Sequence, residues 1–110
     1  MKLYTNESQT AKLIEMGFEK PIPQYHKDEK GDDWLLMRGC NYSIGELLSF
    51  LPENIAKENE MPSTLNISLL DGEWCVEYAD FLGADLSFHS VEVIDAIFDM
   101  LTNLKERGVI

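Results

Sequence analysis

The chain has 110 residues, 45% of them apolar, with 20 Asp and Glu against nine Lys and Arg for a formal charge of -11. That length supports one domain, residues 1–110, with a core of its own, and the negative charge argues against direct binding to nucleic acid or an anionic membrane, whose phosphates it repels. No apolar run nears the roughly 20 residues of a spanning helix, the opening Met-Lys-Leu-Tyr-Thr-Asn-Glu-Ser lacks the apolar core of an export signal, and two cysteines make no disulfide framework, so a cytoplasmic protein is expected.

In the first segment, about residues 6 to 16, Asn6 stands three positions before Gln9. At that spacing each side chain can accept the other's backbone N–H, the reciprocal cap of a helix start. Gly17 suits the left-handed position past the last turn, and Phe18 can fold back onto Leu13. The run Leu13 to Phe18, Leu-Ile-Glu-Met-Gly-Phe, looks like the first helix and loop of ubiquitin-associated domains. That family continues at once into a second helix, which Pro21 and Pro23 forbid here, so the resemblance carries over no ubiquitin-binding role. The prolines impose an extended path instead. A hairpin is predicted from Ile22–His26 and Trp34–Arg38 around the charged turn Lys27–Asp33, with the proline-bearing strand at a sheet edge.

Ser43 and Glu46 repeat the reciprocal cap before a second helix, Tyr42 can staple onto Leu47 across its first turn, and Pro52 ends it. From Glu53 to Ser63 the chain is polar and closed by Pro62, which reads as a surface loop with at most one helical turn. Asp71-Gly72 then suits the central positions of a type I′ turn, where both residues need positive φ. The turn sets the register of a hairpin over residues 64–80: Leu65, Ile67, Leu69, Trp74, Val76 and Tyr78 share one face, and Asn66, Ser68, Cys75 and Glu77 share the other. The first set is expected to be buried. A loop containing Gly83 follows. Ser90 is expected to cap a final helix from Val91 to about Arg107, with Gly108 as its stop and a wide apolar stripe from Val93 to Leu104.

The predicted class is α+β, in the order helix, hairpin, helix, hairpin, helix. Two hairpins make an antiparallel sheet of about four strands, with helices packed mainly on one face. The segments Tyr42-Ser43-Ile44-Gly45-Glu46-Leu47-Leu48 and Ile94-Asp95-Ala96 resemble small uncharacterised proteins of gut bacteria and their mobile elements. That resemblance implies an accessory bacterial gene and transfers no activity to any position.

Chemistry-bearing patterns are sparse. Cys40, Cys75, His26 and His89 offer zinc-binding atoms, but no two stand close enough for one turn to supply two ligands, and no signature surrounds either cysteine as a nucleophile. Asp28, Glu29, Asp32 and Asp33 around Gly31 lack the spacing of a calcium loop, and the seven glycines form no phosphate-binding loop. No catalytic, metal or cofactor site is therefore predicted. The candidate partner-binding residues are Glu92, Asp95, Asp99 and Glu106 on the polar face of the last helix, where Glu92, Asp95 and Asp99 fall at helical spacing with no nearby basic relief. The expectation is a non-catalytic bacterial interaction or regulatory domain that engages a basic protein, one version being a mimic of nucleic acid. The alternative is a small enzyme or ligand-binding domain with a pocket between sheet and helices, and a third possibility is self-association through the sheet.

Overall fold

A computed structural model describes residues 1–21, 25–27, 33–35, 41–55, 62–80 and 83–110, the backbone alone at 25–27, 33–35 and 85. The first helix, α1, spans Glu7–Glu15 and begins as its sequence dictates. The Asn6 side chain accepts the Gln9 N–H at 2.8 Å, and the Gln9 side chain accepts the Asn6 N–H at 3.1 Å. At its end Gly17 takes φ +96°, the Phe18 N–H reaches the Leu13 carbonyl at 3.1 Å and the Gly17 N–H reaches that of Ile14 at 3.0 Å, so two orphan carbonyls are satisfied. The second helix, α2, spans Ile44–Phe50 with the same reciprocal cap between Ser43 and Glu46 and stops before Pro52.

The strands depart from expectation. β1 (Tyr25–Lys27) and β2 (Asp33–Leu35) pair antiparallel, with His26 opposite Trp34, but they form a separate two-stranded sheet. The rest of the predicted first hairpin, including Ile22, Pro23 and Arg38, lies outside the described residues, as do Cys40 and the acidic run Asp28, Glu29 and Asp32. The four-stranded sheet has the order β3-β4-β5-β6 and is antiparallel throughout: β3 is Asn54–Ile55, β4 Ser63–Leu70, β5 Glu73–Asp80 and β6 Gly83–Ser90. The sequence order is thus α-ββ-α-ββββ-α and not α-ββ-α-ββ-α. Two expected loops prove to be strands. Asn54 and Ile55, read as part of a polar loop, pair with Thr64 and Ser63, because a bare two-residue strand has no periodicity of its own and exists only through its partner. The segment after Gly83 alternates Leu86 and Phe88 with Ser87 and His89, and this period of two places it beside β5.

The central hairpin keeps the predicted register from Leu65 opposite Tyr78 to Leu70 opposite Glu73. Asp71 and Gly72 adopt φ +52° and +79°, the type I′ pair that matches strand twist. Burial of its apolar face is uneven, however. Val76 and Tyr78 are sealed, Leu65, Ile67 and Trp74 are half-buried, and Leu69 is 56% exposed. The covering helix α3 (Val93–Glu106) packs on β5 and β6, one strand away from β4, so Leu69 near the hairpin tip gains no cover. Nor does α3 begin where Ser90 would cap it. Ser90 belongs to β6, its hydroxyl takes the Glu92 N–H at 3.2 Å, and Glu92 is the N-cap without a side-chain cap bond.

α3 buries Val93, Ile94, Ala96, Ile97, Met100, Leu101 and Leu104 in one cluster with Leu13 of α1, Leu47 of α2, and Tyr42, Val76 and Tyr78. Each large side chain there contributes roughly 1.5 to 3 kcal/mol, against about 0 to 1 kcal/mol for an exposed ion pair, so apolar burial sets the fold. Three hydroxyl and amide contacts tie α1 to the approach to α2 at the cluster's rim. The Tyr42 N–H donates to the Thr5 hydroxyl at 3.0 Å, Thr5 contacts the Thr10 hydroxyl at 2.7 Å, and Thr10 donates to the Asn41 carboxamide oxygen at 2.6 Å. A hydroxyl has one proton, so Thr5 donates to Thr10, and the relay runs in one direction across α1 and the approach to α2.

Leu101→Ala is expected to cost about 2 to 5 kcal/mol, read as a lower midpoint in urea unfolding, because Leu101 is fully buried in the core cluster. Tyr78 gives a second test. Its hydroxyl donates to the Pro52 carbonyl at 2.6 Å, and burial lifts the phenol from 10.0 to about 12. The neutral form is the one the fold prefers, so this stabilisation is complete below pH 10.0 and is lost as pH rises from there through about 12. Tyr78→Phe should remove that part of the alkaline unfolding profile while lowering stability at neutral pH.

Candidate functional site

The four predicted partner-binding residues share α3 but not one environment. Glu92 accepts the Lys2 backbone N–H at 2.7 Å, and the Lys2 ammonium pairs with Asp95 at 2.8 Å while also reaching the Gln9 side chain at 2.9 Å. Asp95 takes a further hydrogen bond from the Gln9 carboxamide at 2.8 Å. The negative stripe therefore has a basic neighbour after all, 93 positions away in sequence. Partial burial, the largest influence on Asp95, pushes its carboxyl upward, but the bonds from Lys2 and Gln9 with the Lys2 charge together hold it below the usual carboxylate range. For Asp99, partial desolvation first and the charge of Asp95 second raise the carboxyl. Glu106 is exposed in the last turn. The N-terminal segment thus occupies the Glu92–Asp95 end of the stripe, and the Asp99–Glu106 end faces solvent.

A second cluster lies on the sheet face that α3 does not cover. Strand register brings it together: Ser68, Cys75 and His89 form one cross-strand row, and Asn66, Glu77 and Ser87 form the next. The Cys75 sulfur lies 3.6 Å from the Ser87 hydroxyl, 3.7 Å from a Glu77 oxygen and 3.9 Å from His89 Nε2. Ser87 and His89 Nε2 are hydrogen-bonded at 2.8 Å, and Asn66 donates to the other Glu77 oxygen at 3.1 Å. Cys75, placed by the register on the polar face, is only 9% exposed and forms the floor of this cluster. Ser68, Leu70, Asp71 and Glu73 extend it into an open groove of about 420 Å³ toward the hairpin turn. Between α3 and the sheet the described residues form a core cluster, and this groove lies on the opposite face, while another hollow of about 690 Å³ lies beside Lys2, Thr5, Glu7 and Asn41.

The cluster presents a carboxylate, a hydroxyl and an imidazole, each within hydrogen-bonding reach of the Cys75 thiol. Among the described residues no group of three or more His, Cys, Asp or Glu is placed to hold a metal ion, and no helix is long and apolar enough to cross a membrane. The Asp71 and Glu73 carboxylates have no hydrogen-bond or ion-pair partner among the described residues. Charge partition sharpens this picture. Residues 58–104 contain ten Asp and Glu and neither Lys nor Arg, leaving the other ten acids to share the chain with all nine basic residues. Residues 58–104 therefore carry a formal charge of -10 out of the chain's -11. Only a count over that window would have found this in the sequence, and only recognition of β6 would have put His89 beside Cys75. Comparison with protein families, curated proteins and solved structures yields no match for this chain.

Lys2→Ala is expected to raise the Asp95 carboxyl by removing both a hydrogen bond and a charge. A carboxyl held low in the folded state stabilises it above the unfolded value and loses that effect as pH falls through the folded one, so the acid-side loss should begin at higher pH in the variant. At neutral pH the cost is about 0.5 to 1 kcal/mol, as for a partly exposed pair. Carboxyl NMR titration with acid unfolding checks both.

Proposed function

We propose that this chain is a non-catalytic interaction or regulatory domain of the bacterial cytoplasm that recruits a basic protein through its sheet and last helix. The observation that carries the reading is the absence of Lys and Arg from residues 58–104 against ten acids, in a span that contains strands β4 to β6 and most of α3. Charge at such density raises the rate and specificity of encounter with a positive surface more than it stabilises the fold. A folded acidic surface that displays spaced carboxylates also suits the narrower role of nucleic-acid mimic.

A second reading, a small enzyme or ligand-binding domain, draws support from the convergence of Cys75, Glu77, Ser87 and His89. It ranks behind the first for two reasons. No third group among the described residues orients the His89 ring, and the cluster lies on an open face where water is not excluded.

The test is ionic. The chain should bind poly-L-lysine saturably at about 0.01 M salt, where the screening length is about 30 Å, and release it at about 1 M, where that length is about 3 Å. Isothermal titration across that range measures it. Absence of binding at low salt would reject the reading.

A further inference from the structure

We infer that the uncovered face of β4, β5 and β6 is the docking site itself, and that its occupant is an extended, arginine-bearing segment of the basic partner. This inference rests on the interaction reading above and adds to it the surface and the shape of what binds there.

The acids of the two surfaces are unequally satisfied. At the α3 stripe a lysine of the same chain already engages Asp95, and its backbone engages Glu92. On the open sheet face, Asp71 and Glu73 have no partner among the described residues, and Glu77 has only the Asn66 amide and a long contact from the Cys75 thiol. Acceptors thus outnumber donors in this groove. A guanidinium, with five N–H donors in a planar fork, supplies what is missing more fully than an ammonium does.

A second observation is apolar. Leu70 lines the same groove and is 72% exposed. A leucine beside unpaired carboxylates suits an occupant with an aliphatic stem and a charged head, which is the composition of an arginine side chain.

The third observation is spacing. Glu73, Cys75 and Glu77 occupy alternate positions of β5 and so share the open face, with the two carboxylates about 13 Å apart at the usual rise of a strand. An extended segment lying along β5 has the same rise. Its side chains four positions apart face the strand together at that distance, whereas those three positions apart point to opposite sides. An arginine pair at the four-residue spacing therefore meets both Glu73 and Glu77, with Leu70 under one stem.

The experiment uses the full chain, isotopically labelled, titrated with a synthetic peptide whose two arginines stand four residues apart in a Gly, Ser and Thr background. A second peptide places them three apart. Amide NMR shifts should move at Ser68–Glu77 and Ser87–His89, with tighter binding of the four-residue spacing. The double variant Glu73→Gln, Glu77→Gln should weaken binding by at least about tenfold, while Asp99→Asn, Glu106→Gln, which removes equal charge from α3, should change it by less than about twofold. Both variants alter surface positions, and their unperturbed NMR spectra elsewhere report an intact fold. Shifts confined to α3, an equal or larger loss in the α3 variant, or equal affinity for the two peptides would overturn the docking site while the basic-partner reading stands. Binding of poly-L-lysine without binding of either peptide would do the same. If the wild-type chain binds neither probe at low salt, the basic-partner reading fails and the groove fails with it.

Discussion

The apolar stripe of α3 needs a partner, and β5 with β6 supplies it. Seven side chains of that helix leave water against Val76, Tyr78 and the half-buried Leu86 and Phe88, and the same cluster draws in Leu13 and Leu47 from the two shorter helices. Among the described residues, the large apolar cover lies on one side of the sheet. The opposite side therefore has no stripe to receive, and its alternate positions are free to be polar. Cys75, Glu77, Ser87 and His89 stand together there because the strands that bury Val76 and Phe88 turn their intervening residues the other way.

The same packing explains how a helix with an acidic start remains in place. Glu92 enters α3 without a side-chain cap bond, and Asp95 follows one turn later near the positive end of the helix dipole. Their charge would otherwise stand at the seam between α3 and the N-terminal segment. Lys2 answers it with a backbone N–H and an ammonium, and the Thr5–Thr10–Asn41 relay fixes the segment that delivers Lys2. The contact is partly exposed and individually weak, so its value lies in position: it closes one end of the negative stripe and touches neither the other end nor Asp71 and Glu73 beside the groove.

What could be read from the sequence was local. The reciprocal caps at Asn6 and Ser43, the stop at Gly17 and the register around Asp71-Gly72 depend on residues a few positions apart, and each stands where its chemistry put it. What could not be read depends on distant partners. β3 has two residues and no pattern without β4 beside it, and the small β1-β2 sheet stands apart although its hairpin signal resembles that of the central one. Leu69 carries the same alternation as Val76 yet stays exposed, because position relative to α3 decides burial and alternation decides only the face. β6 is the instructive case. Its Leu-Ser-Phe-His alternation was legible, and reading it as a strand would have set His89 opposite Cys75 and revealed the site.

Acidity on an open sheet face also bears on what that face excludes. A polar face flanked by exposed leucines and by strand backbone invites contact with a second copy. Two copies meeting face to face about a twofold axis would set Asp71, Glu73 and Glu77 against the same three residues, since such an interface is made of one patch used twice. With no Lys or Arg between residues 58 and 104 to alternate with them, no register of that pairing brings opposite charges together. Repulsion at this surface grows as water is squeezed out, because the effective dielectric constant falls with it. A partner that supplies cations reverses the sign of the same term. On the proposed reading, one set of side chains would discriminate between self and a basic partner, most strongly in the groove, where Asp71 and Glu73 have no partner among the described residues.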